Sequence, residues 1–302
     1  MELKLFSILS LLPALATAKP SVGCGKAAKV ITQSTPSTTP LTISSGGRNR
    51  EYFANLPADY NNSVPHRLIL TLHALGGNAG QVIAGQGGYL PFYGLPSAIS
   101  NSTTYKTDIP TIYIAPNGIS NGWANTNNSD VNFIRSLIDT VQSDLCIDTS
   151  LVFSTGFSFG AAMSYMLACN LGPEYLRAVA VLSGNPQISG TCPALNAASE
   201  GVAFYIQHGT NDQVLPVSGG REMRDRFLKV NGCDVAGTTV APDPAVGSGA
   251  KHTKTDYKGC VKPVTWVAFD GPHTPTPKDP GESETFSPRE TWDFFGQFGP
   301  LE

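Results

Sequence analysis

A five-residue segment, Gly156-Phe157-Ser158-Phe159-Gly160, constrains this chain more than any other feature. An apolar run at 151–155, typical of a buried strand, precedes it, and a run at 161–168, typical of a helix, follows it. A serine on a sharp strand-to-helix turn presents its hydroxyl above a sheet, where it can act as a nucleophile. The flanking glycines let strand and helix pass close together. The alternative is an ordinary turn rich in glycine and serine.

The composition of the 302-residue chain fits one large α/β domain with a sizeable core. Hydrophobic residues make up 41% and charged residues 14% of the chain, and the formal net charge is −3. A chain with this charge has no electrostatic reason to bind nucleic acid or an anionic membrane, so we expect neither as a partner.

The beginning of the chain has the pattern of a secretory signal peptide. Lys4 supplies a positive charge, residues 5–15 form a short apolar run, and Ala16-Thr17-Ala18 fits the small-residue cleavage pattern. The run is too short to span a bilayer, and no later stretch is long and apolar enough to do so. We therefore expect a signal peptide over 1–18, one mature domain over 19–302, and a secreted, extracellular protein.

The cysteines and the glycosylation sequons agree with secretion. An even count of six cysteines in a secreted chain suggests three disulfides. Neither a CxxC pair nor a cluster of histidines indicates a metal site. Sequons begin at Asn61, Asn101 and Asn127, and each asparagine is a candidate acceptor for an N-linked glycan.

Two cysteine pairings are favoured among those possible. Cys146 and Cys169 each follow a predicted helix, and both helices should end at the same edge of a sheet built from alternating strands and helices. A bridge between them is therefore sensible. Cys233 and Cys260 enclose a segment rich in glycine, threonine and proline, which a bridge would close and order.

A glycine-rich loop after an earlier strand is a candidate for an oxyanion hole. The run 67–73 predicts a buried strand that ends in His73, and Ala74-Leu75-Gly76-Gly77 follows at once. An oxyanion hole needs two N–H groups aimed at one oxygen, one just after the nucleophile and one from such a loop. We predict the N–H groups of Phe159 and Leu75, with Ala74 as the alternative to Leu75. His73 is predicted to orient the loop rather than to act in catalysis.

Aromatic residues in two loops are candidates for contact with a substrate. Tyr89 and Phe92 lie at 87–95, in a stretch that either forms an apolar wall for an acyl group or packs as an ordinary surface loop. Trp123 lies in a polar turn at 117–125 and either lines the site or plugs the top of the core. The sequence leaves both pairs of alternatives open.

A second motif follows a later strand. The run 202–207 predicts that strand, and it leads into His208-Gly209-Thr210-Asn211-Asp212. The acid of a serine–histidine–acid triad is expected after a late strand, on the same edge of the sheet as the serine, and Asp212 fits. The alternative is that Asp212 caps a helix that begins near residue 217. His208 is expected to brace the turn.

A lone histidine after the last predicted strand is the candidate base. The run 264–269 predicts that strand, and His273 follows in a loop. His252 is the competitor, but it lies inside a loop with no strand before it. His66 precedes a strand at the wrong end. We therefore assign the base to His273.

The order of these pieces along the chain predicts the fold and the chemistry. Oxyanion loop, Ser158, Asp212 and His273 follow one another as in α/β-hydrolases. The predicted fold class is α/β, a single α/β-hydrolase domain with a mostly parallel central sheet flanked by helices. In this chemistry His273 takes the proton from Ser158 as the serine attacks an ester carbonyl, and Asp212 fixes the imidazole tautomer. No cofactor and no metal is required.

Periodicity predicts further elements around these motifs. The helices expected from apolar spacing lie at 131–141 and 221–230, and a final helix over 287–295 has Ser287 as its N-cap and Pro288 as its first residue. The remaining strands expected from short apolar runs lie at 51–57, 111–116 and 176–182.

Six segments between residues 72 and 273 carry a resemblance to a known family, and the resemblance extends over about 24–298. They are Leu72-His73-Ala74-Leu75-Gly76-Gly77, the turn from Asn117-Gly118 to Gly122-Trp123, Leu145-Cys146-Ile147-Asp148, Gly156-Phe157-Ser158-Phe159-Gly160, His208-Gly209-Thr210-Asn211-Asp212 and Gly271-Pro272-His273. Together they resemble secreted fungal feruloyl esterases. The nearest group is the type C enzymes of the LpqC-like, polyhydroxybutyrate-depolymerase-related superfamily.

The resemblance implies an activity and a partner. It implies hydrolysis of feruloyl (hydroxycinnamoyl) esters of plant cell-wall arabinoxylan, with release of ferulic acid, by Ser158, Asp212 and His273 as nucleophile, acid and base. One departure concerns the second oxyanion donor, because bacterial relatives often carry His-Gly where this chain has His73-Ala74. We expect a monomer that acts on feruloylated arabinoxylan and has no nucleic-acid or membrane partner.

The alternatives to this function are another esterase and a protein of a different class, which has no catalytic activity. An acetyl xylan esterase or a polyester depolymerase would use the same triad, and the aromatic residues named above mildly favour an aromatic acid over acetate. A non-catalytic hydrolase-fold binding protein is disfavoured because such proteins usually lose the serine or the histidine, whereas all three triad residues are present here.

Overall fold

One sheet connects almost every part of the chain that the structure describes. A computed structural model describes residues 18–35, 38–195 and 200–299, so positions 1–17 of the predicted signal peptide lie outside the described residues. Within those ranges nine strands, numbered β1 to β9 in chain order, are Leu41–Ser45, Arg48–Asn55, His66–Leu72, Thr111–Pro116, Ile147–Phe157, Ala178–Leu182, Ala203–Gly209, Thr253–Asp256 and Val264–Phe269.

Helices cover both faces of this sheet. In the described residues α1 to α6 are Ala79–Ala84, Leu95–Asn101, Ser129–Asp144, Phe159–Tyr175, Val217–Val230 and Ser287–Gly296, and short 3₁₀ turns lie at Pro91–Gly94, Ile119–Asn121 and Thr126–Asn128. None of the helices in the described ranges is long and apolar enough to cross a membrane.

The centre of the sheet is parallel and its margins are antiparallel. The strand order is β1-β2-β4-β3-β5-β6-β7-β9-β8. All neighbouring pairs from β4 to β9 are parallel, whereas β2 pairs antiparallel with both β1 and β4, and β8 pairs antiparallel with β9. The predicted fold, a mostly parallel sheet flanked by helices, is confirmed.

The carboxyl ends of the parallel strands place the predicted site at one edge. Leu72 at the end of β3 pairs with Gly156 near the end of β5, and Phe157 pairs with Leu182 at the end of β6. At the other side Gly209 of β7 pairs with Phe269 of β9. The loops that leave these strands therefore meet above the same edge of the sheet.

The sheet separates two apolar cores because successive side chains of a strand point to opposite faces. Leu68 and Leu70 of β3 pack with residues of α3, α4 and α5, whereas Ile69 between them packs with residues of α2 and α6. The strands β3 and β7 are buried along their whole length, as expected for parallel strands covered on both faces.

The bounds of most elements agree with the sequence prediction. Strands β4 and β9 have the same bounds as the predicted runs 111–116 and 264–269. The early strand runs over Arg48–Asn55 instead of 51–57, because it forms a hairpin with β1 through Gly46 and Gly47 and ends before Pro57, which has no N–H to donate. The hairpin signal was the glycine pair between two strand-like runs.

The start of the last helix differs by one residue from the prediction. Phe286 is the N-cap of α6, and Ser287 is the first helical residue, so the assignment of Ser287 as N-cap is wrong. The Phe286 carbonyl accepts the first helical bond from Glu290 N, at 3.0 Å, and the Phe286 ring is 5% exposed. Burial of this ring in the core fixes the point at which the helix begins.

Three disulfides join the six cysteines, and they are Cys24–Cys146, Cys169–Cys192 and Cys233–Cys260. The predicted Cys233–Cys260 bridge is confirmed, and the predicted Cys146–Cys169 bridge is wrong. Cys146 is taken by Cys24 because the leading segment runs beside the start of β5, with Ser21 N donating to Ile147 O at 2.8 Å. Complete pairing agrees with an oxidising compartment.

Candidate active site

The serine of the elbow has the strained backbone that this turn requires. Ser158 has φ 58° and ψ −116°, between the last residue of β5 and the first residue of α4. A positive φ is uncommon for residues other than glycine and persists only where the surroundings enforce it. The Ser158 N–H donates to Leu182 O at 2.9 Å, which ties the elbow to the end of β6.

Two glycines allow the elbow to approach the oxyanion loop. A Cβ added at Gly160 would lie 2.2 Å from Leu72 O and 2.6 Å from His73 O, and one at Gly156 would lie 2.5 Å from Gly160 C. A larger side chain at either position would push α4 away from β3. The short glycine contacts therefore set the separation between Ser158 and the loop that follows His73.

An aspartate and a histidine pair at the same edge. His273 Nδ1 lies 2.6 Å from Asp212 Oδ2, and the side chains are 12% and 0% exposed. Burial would raise the pKa of the Asp212 carboxyl, but hydrogen bonds from His208, His273 and Leu215 outweigh burial and hold that pKa well below its usual range. Asp212 is therefore a carboxylate, and the Nδ1–H of His273 donates to it.

Further contacts fix the paired side chains. Asp212 Oδ1 accepts hydrogen bonds from Val214 N at 2.9 Å and Leu215 N at 2.8 Å. The cap position of α5 is Pro216, so the alternative that Asp212 caps this helix is wrong. The His273 ring packs on Phe157, with 4.5 Å between ring centroids. With Nδ1 engaged, Nε2 is the nitrogen of His273 that is left to exchange a proton.

His73 holds the loop that follows it, as predicted. Gly118 N donates to His73 Nε2 at 2.9 Å, so Nδ1 carries the ring proton and donates to Ala74 O at 2.8 Å. Burial lowers the pKa of His73 to about 4, so the ring is neutral at ordinary pH. The prediction that His73 orients the loop is confirmed by these contacts.

One of the two candidate loop donors is already engaged in a hydrogen bond. Ala74 N donates to Tyr89 Oη at 2.9 Å and is therefore occupied. Leu75 N has no hydrogen-bond partner among the described residues, and Phe159 N is the first N–H of α4, where helices leave N–H groups free. The N–H groups of Leu75 and Phe159 are thus available to an oxyanion, and the positive end of the α4 dipole adds to their attraction.

The three aromatic candidates are all buried side chains. Trp123 is 0% exposed and donates from Nε1 to His73 O at 2.8 Å, so it plugs the core, and the alternative that it lines the site is wrong. Phe92 is 7% exposed and stacks on Tyr113 at 4.8 Å. Tyr89 is 8% exposed and holds Ala74 N. Substrate contact by Tyr89 and Phe92 stays a prediction, and their burial favours the packed-loop alternative.

An exposed apolar surface that was not predicted lies beside the serine. Leu75 is 69% exposed and Ile119 is 39% exposed. A Cβ added at Gly122 would lie 3.0 Å from the Phe159 ring and 3.2 Å from Leu75 Cδ1, so these two side chains meet over Gly122. Gly76 N donates to Asn121 O at 2.8 Å, which brings the turn with Ile119 against the loop. The signal in the sequence was a large apolar residue in each of two glycine-rich turns.

A buried polar network fixes the turn that carries this surface. Asn125 Oδ1 accepts from Asp130 N and Val131 N, both at 3.1 Å, and Asp130 Oδ2 accepts from Asn125 N at 2.8 Å. The other carboxylate oxygen of Asp130 lies 2.6 Å from Arg50 Nη2, in a pair whose side chains are 3% and 4% exposed. The turn is thus held between β2 and the start of α3.

A mostly parallel sheet with a serine elbow and an aspartate–histidine pair at one edge defines an α/β-hydrolase. The Phospholipase/Carboxylesterase family (Abhydrolase_2) matches residues 109–243. An acetyl xylan esterase from Aspergillus awamori has a TM-score of 0.59 at 18% identity, over 86% of this chain and 100% of that chain. A ferulic acid esterase from Anaeromyces mucronatus has a TM-score of 0.54 at 14% identity, over 86% and 90%. These structures are similar in fold.

Curated relatives are much more similar in sequence. Feruloyl esterase D of Neurospora crassa is 44% identical over 97% of this chain and 96% of its own length. Feruloyl esterase C of Emericella nidulans is 41% identical over 82% of this chain and 83% of its own length. The chain belongs to the family of fungal feruloyl esterases, which are carboxylic ester hydrolases.

Proposed function

We propose that the chain is a secreted serine esterase that hydrolyses feruloyl esters of plant cell-wall arabinoxylan and releases ferulic acid. The observation that carries the proposal is the 2.6 Å pair between Asp212 and His273, at the same sheet edge as the elbow serine and two free N–H groups. Membership of the feruloyl esterase family supports the choice of acyl group.

The first half of the reaction forms an acyl-enzyme. His273 Nε2 takes the proton of Ser158 as its oxygen attacks the ester carbonyl, and Asp212 stabilises the resulting imidazolium. The N–H groups of Phe159 and Leu75 bind the oxyanion, and loss of one such donor typically costs about 3–4 kcal/mol of transition-state stabilisation. His273 then gives its proton to the leaving sugar alcohol.

The second half of the reaction releases the acid. His273 takes a proton from water, and the resulting hydroxide attacks the ester bond to Ser158 through the same oxyanion hole. His273 returns the proton to Ser158 as the acyl–oxygen bond breaks. Every proton in both halves passes through His273, which is why its ring must keep a fixed orientation between Asp212 and Ser158.

The apolar surface beside the serine supports an aromatic acyl group. Leu75, Ile119 and the Phe159 ring present apolar atoms next to the two N–H groups proposed for the oxyanion. Burial of apolar area contributes roughly 25 cal/mol per Å², so an aromatic acid gains more from this surface than acetate does.

Three observations support an extracellular location. The first residues have the signal-peptide pattern, and all six cysteines are paired. Asn61, Asn101 and Asn127 are exposed, so each is accessible to glycosylation. Cleavage after Ala18 would leave Lys19 as the first residue of the mature domain, which we propose extends to residue 302.

A paired hydrolysis assay tests the proposal. We expect kcat/KM for methyl ferulate to exceed that for acetylated xylan, and Ser158→Ala to reduce the former by about 10⁴-fold or more. Ser136→Ala, a matched change on the exposed face of α3, should leave kcat/KM unchanged. A preference for acetate would make the chain an acetyl xylan esterase. Turnover of neither ester would reopen the polyester depolymerase and non-catalytic alternatives. Full activity in Ser158→Ala would refute the triad.

A further inference from the structure

A second histidine faces the carboxylate of Asp212. His208 lies near the end of β7 and is 0% exposed. Its Nε2 atom is 2.8 Å from Leu215 O and 3.4 Å from Asp212 Oδ2. Both neighbours are hydrogen-bond acceptors, so Nε2 carries the ring proton and donates to them.

Leu215 links the two side chains into a closed arrangement. Its N–H donates to Asp212 Oδ1 at 2.8 Å, and its carbonyl accepts from His208. Asp212 therefore receives two backbone N–H groups on Oδ1 and faces an imidazole on each side of Oδ2. Movement of His208 would disturb both the turn and the carboxylate.

The other side of the His208 ring shows that its orientation is fixed. Nδ1 is buried and has no hydrogen-bond partner among the described residues. A Cβ added at Gly220 of α5 would lie 2.5 Å from Nδ1, so the helix backbone presses directly on the ring. A histidine that only braced the turn would need the Leu215 contact alone. The packing of α5 also keeps Nε2 directed at Asp212.

We propose that His208 is a positioning residue for the catalytic acid, which it holds towards His273 through a hydrogen bond shared between Leu215 O and Asp212 Oδ2. This inference rests on the proposed function of Asp212. The hydrogen bond from His208 also stabilises the carboxylate form of Asp212, since hydrogen bonds to an ionised group favour the ionised form.

The surroundings leave few other groups to act on Asp212. The titratable groups against it are His208 from β7 and His273 from the loop after β9. The residue of α5 that faces the His208 ring is Gly220, and the two charged residues that follow it in α5 interact with other groups. Arg221 pairs with Asp243 at 2.7 Å, and Glu222 accepts from Gln187.

Loss of the His208 donor should alter the pH profile in a definite direction. Without it, Asp212 is held less firmly towards His273 and stabilises the imidazolium less, so His273 loses its proton at lower pH. The acid limb of kcat/KM should move to lower pH. In His208→Leu we expect kcat to fall by about 10-fold with KM unchanged, well short of the roughly 10⁴-fold loss on disabling a triad acid.

The experiment compares wild type, His208→Leu and His208→Gln on methyl ferulate and on p-nitrophenyl acetate over pH 4–9. The amide nitrogen of glutamine can reach the position of Nε2, so His208→Gln should regain most of kcat and of the wild-type profile. His66→Leu is the matched control, because His66 is a buried histidine at the opposite end of the sheet, 1% exposed. It should lower stability without moving the acid limb.

Each outcome decides the inference. An acid limb of His208→Leu that superimposes on wild type, or His208→Gln no better than His208→Leu, would overturn it. If His208→Leu does not fold, His208→Asn replaces it, since this shorter amide cannot reach Asp212 and should show the same shift to lower pH. Wild-type protein inactive on both esters would overturn the proposed function and this inference together, whereas active wild type with an unmoved limb overturns only the role of His208.

Discussion

At the scale of single residues, the site depends on a glycine, Gly160, at a position where no side chain fits. Gly160 carries no Cβ, and the carbonyl oxygens of Leu72 and His73 occupy the space where one would lie. The distance between nucleophile and oxyanion loop is therefore set by backbone contact, which side-chain rearrangement cannot relieve.

We expect Gly160→Ala to destabilise the fold by about 1–3 kcal/mol, because the methyl group overpacks a rigid backbone contact. It should also reduce kcat, since α4 and Ser158 move away from the Leu75 N–H. Thermal unfolding and kcat on methyl ferulate measure the two effects. Gly299→Ala is the matched control, because its Cβ would meet nothing closer than 3.5 Å. Unchanged activity in Gly160→Ala would contradict this explanation of the elbow.

Residue roles divided into those that motifs could predict and those that they could not. The Asp212–His273 pair and the orienting role of His73 were predictable because each follows a strand that ends at the same edge. The position of Trp123 was not predictable, since the sequence of a polar turn that contains a tryptophan does not show whether the ring faces solvent or the core. Only the bond from its Nε1 to His73 O distinguishes the two.

At the scale of elements, a charged cluster clamps the loop that carries His273, the proposed base. His252 Nδ1 lies 2.8 Å from Asp279, which belongs to the segment between His273 and α6. His252 Nε2 lies 3.6 Å from Glu290 of α6, and the His252 ring stacks on Phe286 at 3.9 Å. The cluster thus joins the strand β8, this loop and the last helix.

The clamp should make stability depend on pH. Burial lowers the pKa of His252, but hydrogen bonds to Glu290 and Asp279 outweigh burial and raise that pKa above its ordinary value. Burial would raise the pKa of Glu290, but His252 and Lys254 outweigh burial and lower that pKa to about 2. Because the folded pKa of His252 exceeds the unfolded one, its stabilisation is full below about pH 6.5 and is lost as pH rises through the folded pKa.

His252→Gln tests the clamp. The Tm of wild type should exceed that of the variant most at pH 5, and the gap should narrow towards pH 8.5. Thermal unfolding at steps of half a pH unit measures it, with His66→Gln as a control whose gap should not narrow in the same way. A gap that is constant with pH would show that protonated His252 does not contribute to stability.

Element boundaries were predictable where periodicity was strong. The strands β4 and β9 needed only a short apolar run, because both of their faces are covered. The first residue of α6 depended on the burial of the Phe286 ring, which a local capping rule does not contain.

At the scale of the whole molecule, the disulfides show what local reasoning could not provide. Cys233–Cys260 closes one loop and was predictable from the segment it encloses. Cys24–Cys146 joins residues 122 apart in sequence, and it depends on the leading segment lying along β5. No pattern near either cysteine gives that position.

The two bridges that were not predicted should differ in their effect on stability. Cys24–Cys146 closes a loop of 122 residues and Cys169–Cys192 one of 23. By loop-closure entropy, removing the first as Cys24→Ser/Cys146→Ser should cost about 5 kcal/mol, and removing the second as Cys169→Ser/Cys192→Ser about 3 kcal/mol. Urea unfolding of the two double variants side by side measures the difference. Equal losses would show that native packing at these sites outweighs chain entropy.

The strand order has a consequence for how activity arises. The strand β9 lies between β7 and β8 and carries His273, the proposed base, just beyond its end, although it is the last strand of the described residues. A chain interrupted before β9 is inserted holds the proposed nucleophile, oxyanion loop and acid but lacks the proposed base at the edge. The rate of hydrolysis therefore measures how much of the chain has completed folding, not how much polypeptide has been made. During refolding, activity should recover only when this final strand has been inserted.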